Sequence, residues 1–200
     1  MSQACIDQFK AQLAGGGVRP TMFQVELTFP EGTMSEAEDL TVSKGIFLIK
    51  AASLPPSNVG TIEVPFRGRK LKVSGDRTFD PWEITVVNDV NFSLRTVFEK
   101  WSEIIQNHRC ANGAARLDRY FATALVRQLD RDGKKLRSYQ MNGVWPSNIA
   151  EIGLDFDSTD TIEEYGVTFN VQWWTAAPGD KDPGVNGPPG GMGSPLVIDS

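Results

Sequence analysis

Histidine and cysteine are scarce in this chain: His108 is the only histidine, and Cys5 and Cys110 are the only cysteines. No His or Cys pair has the spacing of a metal site, and no Gly-rich phosphate loop follows a strand pattern. Cys5 has no His or Asn close in sequence to activate it. No catalytic residue, cofactor or metal is therefore expected. His108 reads as a solvated cation at a helix end, where positive charge suits the dipole. Two distant cysteines without a secretory signal read as free thiols rather than a disulfide.

Long apolar runs are missing too. None approaches the roughly 18 residues of a membrane span. Met1 to Gly17 has no basic stretch leading into an apolar one, so the chain is expected to fold in a cytoplasm. Positive charge is not in excess, with 20 Lys and Arg against 25 Asp and Glu, a net charge of −5. That balance argues against a dedicated nucleic-acid binder and against anionic membrane surfaces.

What is present is a β-rich pattern in 200 residues, a length that fits one domain. Ile6, Phe9, Leu13 and Ala14 have helical spacing and stop at Gly15 to Gly17, which predicts a short N-terminal helix over Met1 to Ala14. Phe23, Val25, Leu27 and Phe29 alternate with polar residues as in a half-buried strand. Pro30 to Leu40 is acidic and polar, a loop or insertion, and Ile46 to Ile49 is a short apolar run. Ile62, Val64 and Phe66 alternate, Arg67-Gly68 suits a tight turn, and Arg69 to Val73 follows as a partner strand. Trp82, Ile84 and Val86 alternate again. Leu94, Val97, Phe98, Trp101, Ile104 and Ile105 form one helical stripe, with Asn91 as the expected N-cap. Ala122 to Leu129 and Leu136 to Met141 flank the turn Asp130 to Gly133, which predicts a hairpin. Ile152, Leu154 and Phe156 alternate, as do Val167, Phe169, Val171 and Trp173. From Ala176 onward, 11 of the last 25 residues are Gly or Pro, so this segment is read as an extension without regular structure. The expected division is a domain over 1–175 and an extension over 176–200.

Three features invite a functional reading. The acids Asp155, Asp157, Asp160, Glu163 and Glu164 resemble a calcium loop in spacing but lack its central glycine and its twelfth-position glutamate; the other reading is a polar turn between strands. The basic run Arg67, Arg69, Lys70 and Lys72 is compatible with phosphate contact, with a solvated hairpin face, or with an acidic patch on another subunit. Trp145 before Pro146 reads as a packed turn. Trp173 and Trp174 must point to opposite faces of a strand, one into the core and one onto a second apolar surface, which suggests a subunit contact.

The order of three sequence blocks is more specific. Arg19-Pro20 with Phe23-Gln24-Val25-Glu26 is the first. Arg69-Lys70-Leu71-Lys72-Val73-Ser74-Gly75-Asp76-Arg77-Thr78-Phe79-Asp80, with Trp82, Thr85, Val86, Asn88 and Asp89, is the second. Gly143-Val144-Trp145-Pro146-Ser147-Asn148, followed by Leu154-Asp155-Phe156-Asp157-Ser158, is the third. Together they span about residues 19 to 174, and the chain resembles the tail tube proteins of contractile-tailed bacteriophages.

The resemblance implies a mainly β subunit: two packed antiparallel sheets, a barrel-like sandwich, with one flanking helix. It implies six subunits closing into a ring whose strands form one barrel around a lumen. The rings stack into a tube that carries viral DNA, with a tail sheath protein, baseplate and tail terminator as partners. Assembly is expected in the host cytoplasm and residence in the virion tail. Ring closure pairs exposed sheet edges that would be a liability in a monomer, and stacking is a head-to-tail contact that repeats without limit. An acidic wall lets polyanionic DNA slide past without sticking. The intersubunit residues expected are Arg67, Arg69, Lys70, Lys72, Asp155, Asp157 and Trp174, with Leu196, Val197 and Ile198 anchoring the extension. Phe23, Trp82, Ile84, Val86 and Leu154 are expected in the core. Pro30 to Leu40 exceeds the usual family connection, and the stretch after Trp174 runs beyond the family domain. Two other readings are a tube from a phage-tail-like or type VI secretion particle and a monomeric β-rich binding module.

Overall fold

The computed structural model describes Ile6, Phe9, Ala11 and residues 17–30, 32–33, 48–110, 113–114 and 116–178. The N-terminal helix expected over Met1 to Ala14 lies outside the described residues apart from Ile6, Phe9 and Ala11. So do most of the Pro30 to Leu40 loop and the extension from residue 179, with Leu196, Val197 and Ile198.

The described chain is mainly β. Its strands are β1 (Phe23–Thr28), β2 (Ile49–Ala52), β3 (Asn58–Phe66), β4 (Arg69–Thr78) and β5 (Trp82–Val87). After the helix α1 (Ser93–Ile105) come β6 (Ala122–Leu129), β7 (Lys135–Ile149), β8 (Glu164–Asn170) and β9 (Trp173–Pro178). Seven strands form one antiparallel sheet in the order β1-β6-β7-β8-β5-β2, with β9 added on β7, and β3-β4 stands apart as a two-stranded sheet. The larger sheet does not close into a barrel.

The 15-residue β7 links two parts of that sheet. Its first part pairs with β6 and β9, and its last residues, Trp145 to Ile149, pair with β8. The switch occurs at Gly143, which has φ +64, a conformation that disfavours residues with a Cβ. A Cβ there would sit 2.5 Å from Cγ of Gln172, so glycine is required by both conformation and space. Trp145-Pro146 therefore lies inside a strand and not in a turn as expected.

Alternation places the core. Trp82, Ile84 and Val86 of β5 sit opposite Phe169, Val167 and Tyr165 of β8, and all six are buried. The helix buries Leu94, Val97, Phe98 and Trp101. Phe98 and Trp101 meet Phe29 and Phe169, with ring centroids 5.7–6.0 Å apart. The indole N–H groups inside this cluster have acceptors: Trp101 donates to Tyr120 O at 2.8 Å and Trp82 to Ser53 O at 2.7 Å. Phe23 is partly buried against the same core.

Three local expectations are corrected. Asn91 does not cap α1; Phe92 occupies the cap position at φ 52, and Asp89 supplies the acceptors. Its two carboxylate oxygens take the Ser93 N–H at 2.8 Å and the Ser93 hydroxyl at 2.7 Å. Ile152, Leu154 and Phe156 do not form a strand: residues 150–163 are an irregular loop, and Leu154 is 82% exposed rather than in the core. Strand order explains this, because β7 and β8 pair directly and the chain between them has no sheet neighbour left. Ala176 to Pro178, expected to be unstructured, continue β9 against Tyr139, Ser138 and Arg137.

Candidate functional site

Among the described residues, the β3-β4 hairpin has no second layer. Arg67 (φ 45) and Gly68 (φ 80) both adopt positive φ, as the tight turns favoured in hairpins demand. The register sets the two faces. Ile62 faces Val73, Val64 faces Leu71, and Phe66 faces Arg69, so these six share one side. Thr61, Glu63 and Pro65 share the other with Ser74, Lys72 and Lys70. Ile62, Val64, Phe66, Leu71 and Val73 are all exposed. An isolated two-stranded hairpin is marginal in water, so its root is tied down. Trp174 Nε1 donates to Pro56 O at 3.1 Å, and Arg77 donates to Ser57 Oγ at 2.9 Å.

The basic residues are thus distributed rather than gathered on one face. Arg69 sits beside Phe66 on the apolar side, while Lys70 and Lys72 lie on the polar side, where Lys70 pairs with Glu63 at 2.5 Å. Arg67 lies over the Phe66 ring, 5.4 Å from its centroid. Trp174 packs against Tyr139 and the core edge, and its N–H holds the hairpin root. Trp173, on the opposite face, is the more exposed of the two.

Asp155 and Asp157 lie in the 150–163 loop, where Asp155 accepts the Asp157 N–H at 3.0 Å. At the loop's end Glu163 accepts from Asn88 Nδ2 at 2.9 Å, and Glu164 pairs with Lys50 at 2.5 Å. Among the described residues, no three His, Cys, Asp or Glu side chains converge as metal ligands. His108 and Cys110 are exposed in the turn after α1. The apolar companions of the acids are exposed as well: Leu154, Phe156 and Ile162 all face solvent. Sequence reasoning assigned Leu154 to the core and attached no function to Ile62, Val64, Phe66, Leu71 or Val73. Alternation identified strands but not which apolar faces lack a cover.

The hairpin and the loop leave the main sheet at opposite ends. β5 and β8 run antiparallel with Trp82 opposite Phe169 at one end and Val87 opposite Glu164 at the other. The hairpin returns to the sheet at Trp82. The loop enters β8 at Glu164, and Asn88 N–H, just past Val87, donates to Glu163 O at 2.9 Å. The six residues of β5 separate the two by roughly 20 Å.

Among the described residues, apolar surface is thus uncovered at both ends of the sheet. A family model described as phage tail tube protein matches residues 18–177. The chain belongs to the phage tail tube protein family. It is 34% identical to tail tube protein gp19 of Enterobacteria phage T4 over 169 residues, 84% of this chain and 97% of the relative. It is 28% identical to the tail tube protein of Serratia phage KSP90 over 164 residues, 81% of this chain and 91% of that one. Among solved structures, a chain of the extended sheath-tube complex of the PVC extracellular contractile injection system shares the fold. Its TM-score is 0.55 at 12% identity, covering 89% of this chain and 99% of that one. A chain of the anti-feeding prophage baseplate gives a TM-score of 0.56 at 11% identity, covering 81% and 96%. As a member of this family the chain is a structural component of a phage tail.

Proposed function

We propose that this chain is the repeating subunit of a contractile phage tail tube, in which six copies close into a ring and rings stack around a lumen that conducts viral DNA. The carrying observation is the 34% identity to a T4 tail tube protein over 84% of this chain and 97% of the relative. The geometry supports it: among the described residues the hairpin has no second layer, and a repeating assembly would supply one. The net charge of −5 suits a wall past which DNA slides unbound. Arg67, Arg69, Lys70 and Lys72 act at subunit contacts against acids such as Asp155 and Asp157. Leu196, Val197 and Ile198 anchor the C-terminal extension on a neighbouring copy. Sheath, baseplate and tail terminator proteins are the other partners, and the chain needs no catalytic residue, metal or cofactor for this role.

The test is electron microscopy of purified protein at rising concentration. Rings of six and stacked tubes are expected; a monodisperse monomer at millimolar concentration would overturn the reading. Deleting residues 179–200 checks the extension: shorter or less heat-resistant tubes are expected, and unchanged tubes would remove it from the assembly.

A further inference from the structure

We propose that the indole N–H of Trp174 is a releasable latch that sets the direction of the β3-β4 hairpin, and that the hairpin pivots about the end of the main sheet when the latch opens. The proposal concerns the single subunit and does not depend on the tube reading.

The mechanics follow from where the root is held. Neither β3 nor β4 pairs with a strand of the main sheet. Two linkers join the hairpin to that sheet, residues 53–57 after β2 and residues 79–81 before β5. Two side-chain bonds cross-brace the root: Asn58 Nδ2 donates to Asp80 Oδ2, and Arg77 donates to Ser57 Oγ at 2.9 Å. Both partners of each bond belong to the hairpin or its linkers. The braces therefore join the two strands at the root into one body without fastening that body to the sheet.

Two indoles fasten it. Trp82 donates to Ser53 O at 2.7 Å, and Trp174 donates to Pro56 O at 3.1 Å. The two anchors differ in place and in burial. Trp82 opens β5, is 1% exposed and packs on Phe169 with ring centroids 5.5 Å apart. Ser53 directly follows β2, so this anchor sits where both linkers reach the sheet, at the pivot itself. Trp174 belongs to β9 and is half-buried, and its bond to Pro56 is open to water. It grips the linker three residues further out, where a restraint opposes rotation. Pro55 and Pro56 have no N–H, so only their carbonyls offer the linker a handle there.

The strength of such a bond suits a latch. A single neutral hydrogen bond in water shifts a two-state population by a factor of about 2 to 12. That holds the hairpin in one direction and still lets it open without unfolding the subunit. The Trp174 ring is seated against Tyr139, with centroids 5.8 Å apart, so the donor stays in place and the linker is the moving part. Latched, the hairpin aims the exposed side chains of Ile62, Val64, Phe66, Leu71 and Val73 in one direction. Open, the same face swings as one piece and meets surfaces offset from that direction.

The experiment uses the full chain carrying Cys5→Ser and Cys110→Ser. Nitroxide labels are placed through Lys72→Cys in β4 and Glu103→Cys in α1, both at exposed positions. Pulsed electron paramagnetic resonance reads the distance between them in the dilute, unassembled subunit. With Trp174 intact, one narrow distance distribution is expected. Trp174→Phe keeps an aromatic ring and removes the donor. It should broaden the distribution roughly twofold or add a second distance, with the melting temperature nearly unchanged. Replacing the Trp174 indole by benzothiophene, which keeps both rings without the N–H, should do the same. A distribution left unchanged by both replacements would overturn the latch, as would one already broad with Trp174 intact. Broadening that comes only with a large fall in melting temperature, in both replacements, would assign Trp174 a packing role instead and overturn it too.

Discussion

β5 and β3 carry the same alternating apolar pattern and meet opposite fates. Trp82, Ile84 and Val86 are buried between β8, β2 and the aromatic cluster under α1; Ile62, Val64 and Phe66 stand in solvent. The pattern tells a strand which of its faces is apolar. It does not say whether the protein's own chain or another copy covers that face. In β5 the cover is internal and its energy stabilises the subunit. In the hairpin no described residue covers that face, so its apolar side chains add no burial energy to the described subunit.

Four predictions break or sharpen this contrast. The largest effect is expected inside the cluster. Phe169→Ala removes the ring shared by Trp82, Phe98 and Trp101 and should destabilise the subunit by about 3–5 kcal/mol in chemical denaturation. Phe66→Ala, the same chemical change on the hairpin, should stay within about 0.5 kcal/mol in the subunit. Comparable losses at both positions would erase the distinction between a covered and an uncovered face.

Next comes the switch point of β7. Gly143→Ala puts a Cβ against Gln172 at a positive φ and should lower stability by about 1–3 kcal/mol, read as a fall in melting temperature. Gly153→Ala, in the exposed loop with open space around it, should leave the melting temperature nearly unchanged.

A smaller effect is expected at the start of α1. Asp89→Ala removes both acceptors for Ser93 and should cost about 1 kcal/mol, whereas Asn91→Ala, at the expected but unused cap position, should be close to silent. Equal losses at the two positions would return the cap to Asn91.

The smallest effect concerns Tyr165, whose hydroxyl is buried with no hydrogen-bond partner among the described residues. Burial holds its phenol well above the ordinary range, opposed by the Arg95 guanidinium over its ring. The folded state therefore keeps the proton after the unfolded chain has lost it. Stability is unaffected below the unfolded tyrosine value of about 10 and falls as pH rises beyond it. Tyr165→Phe should leave neutral-pH stability nearly unchanged and flatten the loss above about pH 10. An identical alkaline decline in both proteins would mean that other groups cause it.

Much of the fold was legible along the chain. The β5 alternation, the α1 stripe, the Arg67-Gly68 turn and the β6-β7 hairpin all rest on short-range periodicity or on the few residues that tolerate positive φ. Resemblance across three ordered blocks carried the family. The candidate surfaces were legible only in part. For Arg67, Arg69, Lys70 and Lys72 the sequence left phosphate contact, a solvated face and a subunit contact open, and it did not show that register separates Arg69 from Lys70 and Lys72. Leu154 looked like core because it alternates with Ile152 and Phe156, yet it has no strand to pair with.

By itself the sequence determined where the chain turns and which residues alternate, because turn conformation and side-chain period are local properties of the backbone. It also carried, in three ordered blocks, the resemblance that the family match over residues 18–177 shows. Tertiary structure alone decided which apolar faces were covered. Burial depends on what strand order and register bring alongside, and those are set by contacts distant in sequence. Strand order put β8 against β5 and left β3-β4 without a layer among the described residues; register placed the hairpin and the acidic loop at opposite ends of one sheet.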